Sequence, residues 1–155
     1  MDNDALRIKG SYVFELRDEK GILIDTREGQ NLVTSAGKAA IAGLVGNTGA
    51  VTAFGWLAVG TGVTAAAIGD TALQSEIATN GLARAAATVS RVTTTVTNDT
   101  LQLTYTWTAT GASAVTELGA LNAASAGVLL LRTQTSKGTT CSQSGASVHH
   151  ARTCL

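Results

Sequence analysis

The sequence predicts a mainly β chain, an antiparallel β-sandwich with one principal α-helix. Three observations carry that reading. Apolar and polar side chains alternate with a period of two near the N-terminus and again over residues 101–108. Convincing helical spacing occurs in one stretch, residues 35–45. Beyond residue 28 the polar side chains are mostly Thr, Ser, Gly and Asn, which suit half-buried strands and the turns between them.

The elements follow in order. Leu6, Ile8, Tyr12, Phe14 and Leu16 occupy even positions, while Arg7, Lys9, Glu15 and Arg17 occupy odd ones. Asp18-Glu-Lys-Gly21 reads as a turn, with Gly21 free to take a positive φ. Ile22 and Ile24 resume the alternation, so residues 5–17 and 21–33 form a predicted hairpin. Thr34 or Ser35 caps the helix that follows. Its apolar face is Val33, Gly37, Ala40, Ile41, Leu44 and Val45, and Gly46 ends it. Gly37 and Gly43 point to close packing.

Phe54–Gly60 reads as a short buried strand leading into a flexible stretch, Thr61–Gly69. Asp70 then caps a single helical turn with Leu73 and Ile77 on one side. Residues 82–97 are a Thr/Val strand, Asn98-Asp99 a turn, and Leu101–Trp107 the cleanest amphipathic strand of the chain. Val115–Asn122 and Val128–Arg132 are two further strands about a turn at Ser125-Ala-Gly127. Six or seven strands and one helix result, with a core that includes Phe14, Leu16, Ile24, Leu103, Tyr105 and Trp107.

Charge is unevenly placed. Residues 1–28 hold twelve of the 22 charged side chains, and the net charge of the 155 residues is zero. A neutral chain without a basic face is not expected to bind nucleic acid. It also lacks the self-repulsion that keeps copies apart. No run of about 18 apolar residues predicts a membrane span, and Met-Asp-Asn-Asp-Ala does not resemble a secretory signal.

Catalytic constellations are sparse. The two histidines, His149 and His150, are adjacent and point opposite ways on an extended chain, so they do not act together. Their spacing from Cys141 and Cys154 matches no usual zinc pattern. Gly60-Thr-Gly62 lacks the later Gly and Lys of a phosphate loop. Glu117 stands out as a carboxylate within an apolar strand; it is expected to be buried, accepting backbone N–H groups or pairing with Arg84 or Arg91. Trp56, Tyr105 and Trp107 are candidate sugar platforms, although Tyr105 and Trp107 share the face of Leu101 and Leu103. No catalytic residue, cofactor or metal ligand is assigned, and the chain is expected not to be an enzyme.

The order Gly10, Asn31-Leu-Val-Thr-Ser-Ala-Gly37, Leu57-Ala-Val-Gly-Thr-Gly62, Gly69-Asp-Thr-Ala-Leu73, Asn98-Asp-Thr100, Thr116-Glu-Leu-Gly119 and Asn122-Ala-Ala-Ser125 resembles a family of tailed-bacteriophage virion proteins. Its members are usually labelled tail fibre or minor structural protein. The resemblance covers about residues 8–137. It implies a surface-exposed decoration, collar or fibre subunit located in the virion. The implied partners are further copies of the chain, by analogy as a homotrimer, and capsid, collar or tail proteins. A host-surface glycan is the partner of the alternative reading, a receptor-binding adhesin domain.

Residues 1–136 are accordingly expected to form the sandwich, and 137–155 a C-terminal tail or assembly arm. This last stretch lacks the family's Gly-Asp turn and final Thr/Val strand, either as a different tail or through a shifted reading frame. A sheet without that strand would keep an open edge. Cys141 and Cys154 are candidates for a disulfide within the arm or for contacts with a neighbouring subunit.

Overall fold

The computed structural model describes residues 8–141, 147–149 and 153–154. The strands and helix run β1 (Gly10–Arg17), β2 (Leu23–Val33), α1 (Ser35–Gly46), β3 (Trp56–Gly60), β4 (Ala85–Ala86), β5 (Thr88–Val92), β6 (Thr100–Thr104), β7 (Thr106–Thr108), β8 (Ser113–Leu121), β9 (Leu129–Cys141), β10 (Ser147–His149) and β11 (Thr153–Cys154). All strand pairs are antiparallel.

Two sheets result. One is built around β2-β1-β11-β6-β5, with β10 bridging β1 and β7. The other is β4-β3-β8-β9. They join at one corner, where Leu32 and Val33 of β2 pair with Arg132 and Leu131 of β9. Tyr12, Phe14 and Leu16 of β1 and Leu103 and Trp107 of β6–β7 pack in one core with Leu57, Val59, Leu118, Ala120 and Leu130 of the second sheet. The fold is mainly β and sandwich-like, with one helix, as the alternation predicted.

The hairpin forms as expected. The Asp18 carboxylate accepts from the N–H groups of Lys20 and Ile22, and Gly21 takes φ +80°. Ile24 is a correction, because it is 59% exposed. Leu16 pairs with Asp25 but Arg17 with Leu23, so Ile24 is the extra residue of a bulge at the hairpin tip. The inward face of β2 is instead Asp25, Arg27 and Gly29, opposite Leu16, Phe14 and Tyr12. Tyr105 is half-buried against the core. It lies between β6 and β7, where the single strand expected over 101–107 breaks.

Thr34 is the helix N-cap and accepts from Gly37 N–H at 2.9 Å. Its hydroxyl also donates to the Leu129 carbonyl, which ties the helix to β9. A Cβ on Gly37 would fall on the Leu130 carbonyl, so glycine permits the helix to lie directly on that backbone. Asn47, in the left-handed region, closes the helix one residue after Gly46. Burial stops at Ile41; Leu44 and Val45 are exposed, so the predicted face is covered only over its first two turns.

The stretch expected as an arm is paired with the chain's own body wherever it is described. β9 continues past Arg132 to Cys141, and β10 and β11 lie against β1, β7 and β6. Strand pairing needs only backbone donors and acceptors, so the missing apolar alternation does not prevent it. Cys141 stands opposite Ser113, and Cys154 stands between Ser11 and Gln102. The side chains of both cysteines lie outside the described residues, and so does His150.

Candidate functional site

Between β3 and β4 the chain makes no regular secondary structure, yet it is closely held. Such a long irregular segment in a compact domain usually has a purpose. Its two anchors are Glu117 of β8 and Arg132 of β9, whose side chains are 0% and 3% exposed. β3 pairs with β8 so that Gly60 faces Glu117. A Cβ on Gly60 or Gly62 would collide with the Glu117 side chain, so this approach requires glycine at both positions.

The Glu117 carboxylate uses both oxygens. Oε1 accepts from Gly62 N–H at 3.1 Å and Ser75 N–H at 2.7 Å. Oε2 accepts from Gln74 N–H at 3.0 Å and Arg132 Nε at 2.8 Å. One buried side chain thus ties the start of the loop to residues 74 and 75. Arg132 fastens the stretch between them. Its Nη1 donates to Asp70 Oδ2 at 2.8 Å, and its Nη2 to the Thr64 carbonyl at 3.0 Å. The hydroxyl of Thr116 donates to the Gly62 carbonyl at 2.7 Å.

Burial disfavours the charge on Arg132, but Asp70 and Glu117 outweigh it and hold its pKa above the usual value. Asp70 is pulled below the ordinary carboxylate range, chiefly by the Ala67 N–H. Arg84 closes the far end of the loop. It makes a paired contact with Glu76, at 2.6 Å for Nη2, and donates to the carbonyls of Ala123 and Ala126. A second, smaller core lies on this side of the sheet, where Leu73 packs with Ala58, Leu121 and Leu129. A Cβ on Gly119 would press on Leu73.

The expected helical turn after Asp70 is absent. Asp70 closes the Ala67–Asp70 turn and pairs with Arg132, while Leu73 and Ile77 are buried from irregular backbone and in different cores, not on one side as expected. The backbone N–H groups a helix would use internally are committed here to Glu117. Glu117 is buried and holds backbone N–H groups, as expected, but its cation is Arg132 and not Arg84 or Arg91. Sequence reasoning missed Arg132. Its signal was an arginine ending the apolar run Leu129-Leu-Leu, one hairpin away from Glu117.

Chemically this cluster is a staple. Glu117 is enclosed, and each of its oxygens already accepts two hydrogen bonds, so it has no opening toward a substrate. Of the aromatic candidates, Trp107 is buried and donates Nε1–H to the Ala83 carbonyl at 2.8 Å, with Tyr105 edge-on at 4.9 Å. Trp56 is half-buried against the second core. Among the described residues there is no group of three or more His, Cys, Asp or Glu placed to hold a metal, and no helix long and apolar enough to cross a membrane. An open cleft of about 590 Å³ lies where β2 and β9 diverge, lined by Tyr12, Asp25, Arg27, Glu28 and Gln134 among others. Comparison with protein-family models, curated proteins and solved structures found no match.

Proposed function

We propose that this chain is a non-enzymatic structural subunit of a bacteriophage particle. It is a surface-exposed decoration, collar or fibre component that assembles with further copies, as a homotrimer, and with other virion proteins. One observation carries the reading beyond the resemblance itself. The segments 57–62, 69–73 and 116–119, which carry the resemblance, meet at the Glu117–Arg132–Asp70 staple. The Glu117 and Thr116 side chains hold backbone of the other segments there. Residues 31–37 meet β9 beside it through Thr34 and Gly37. The pattern is that of a scaffold whose long loop is kept in one shape for contact. A glycan-binding reading draws no support from Trp107, whose ring is enclosed.

The test is to purify particles of the phage that encodes the chain, identify their proteins by mass spectrometry and locate this one by cryo-EM. The expected result is a repeated copy on the head, collar or tail surface, in threefold sets. Its absence from purified particles, while it is present in infected cells, would reject the proposal.

A further inference from the structure

We propose that the groove between β1 and β6–β7 is a strand-acceptor slot, which in assemblies takes β10 and β11 of a second copy in place of the chain's own. The inference deepens the reading above and rests on the self-association proposed there.

Among the described residues β1 and β6–β7 make no strand pairing with each other; the C-terminal strands link them. β10 sets Glu15, Leu16 and Arg17 opposite His149, Val148 and Ser147, and on its other side those residues meet Thr106, Trp107 and Thr108. β11 sets Cys154 between Ser11 and Gln102. Without β10 and β11 the first sheet would part into two pieces, each with an open edge of backbone donors and acceptors. Such edges recruit a strand.

The described stretches of the seated segment, Ser147–His149 and Thr153–Cys154, both pair with β1. Cys141 at the end of β9 stands opposite Ser113, and Ser147 at the start of β10 stands opposite Thr108, so these two strand ends lie beside the two ends of the β7–β8 connection. The intervening sequence, Ser142-Gln-Ser-Gly-Ala146, has a linker's composition. Led into a neighbouring copy, the same strands meet the same backbone partners, which is why swapping an identical element costs little.

The occupant is a second copy because the slot already pairs with this segment in a defined register. Charge does not oppose it: Thr100–Thr108 carries no charged side chain, and the chain as a whole is neutral. Strand donation from each copy to the next is a head-to-tail contact, which closes into a ring when the rotation allows.

The register supplies the probe. Directly opposed antiparallel residues lie within disulfide reach, so a thiol introduced by Ser11→Cys will bond to Cys154 wherever β11 is seated. An acceptor chain, S11C/C141S/C154S, and an isotope-labelled donor chain, C141S, are unfolded together in urea, refolded together and mildly oxidised. A disulfide from position 11 of an unlabelled chain to Cys154 of a labelled one is the expected result. An acceptor with the exposed substitution T52C in place of S11C should give none. A second pair, E15C in one chain and H149C in the other, both in a C141S/C154S background, repeats the test should S11C fail to fold.

Both thiols are also placed in one chain, as S11C/C141S. Links formed only within a chain, while the unmodified protein sediments as an oligomer, overturn the exchange and leave self-association standing. Links only within a chain, with a monomer at every concentration, overturn both. Absence of any link in either register overturns the slot.

Discussion

Arg132 Nε lies 2.8 Å from Glu117 Oε2, and neither side chain exposes more than 3% of its surface to solvent. The pair is buried by a loop that it also holds, so the staple and its cover depend on one another. Removing one ion of such a pair is far more damaging than replacing both, because the remaining charge has no water to return to.

Arg132→Met is therefore expected to destabilise the fold by about 3–5 kcal/mol. Adding Glu117→Gln should recover part of that loss by removing the stranded charge. Urea unfolding of the two variants checks this, and a double variant no more stable than Arg132→Met alone would contradict it. Limited proteolysis of Arg132→Met should cut first within residues 61–76, the segment that Arg132 and Glu117 hold.

Acid should weaken the protein through two carboxylates. Asp70 is held below its usual range first by the Ala67 N–H and, against the opposing effect of burial, by Arg132. Asp99 is held lower still, first by the Val96 N–H and then by that of Thr94, with Thr95 adding to them. A carboxyl with a lower pKa in the folded state stabilises above its unfolded value, here 3.8, and loses that contribution as pH falls through the folded value. Stability should thus be level from neutral pH to about 5 and decline below about 4. Urea midpoints measured against pH should show a shallower acid decline in Asp99→Asn and Asp70→Asn than in the parent. Parallel curves for all three would refute the assignment.

Two glycines separate packing from propensity. Gly37→Ala adds a good helix former, yet its Cβ falls on the Leu130 backbone, which cannot rotate away. The clash should outweigh the gain and cost about 1–3 kcal/mol. Gly69→Ala meets nothing within 4 Å and should change stability by no more than about 0.5 kcal/mol. Thermal melts of the two variants decide the matter, and equal melting temperatures would show that α1 does not press on β9.

What the sequence determined by itself is local. Tyr12, Phe14 and Leu16 face inward because alternate residues of a strand share a face. Thr34 and Asp99 bind the N–H groups of the few residues beside them, which are within reach whatever the rest of the chain does. Glu117 was legible as a buried carboxylate for a related reason, since its apolar neighbours left it no route to water. The tertiary structure decided the rest. Ile24 is exposed because a bulge shifted the register by one residue, and a one-residue shift moves a side chain to the other face. Arg132 rather than Arg84 answers Glu117 because β8 and β9 are adjacent strands, with Gly119 opposite Arg132 and Glu117 opposite Gln134. The stretch after Asp70 is not helical because the N–H groups of Gln74 and Ser75 are held by a carboxylate on a distant strand and that of Ile77 by the Val59 carbonyl. Such choices depend on which strands become neighbours, and that is set by burial of the whole core, not by the order of adjacent residues.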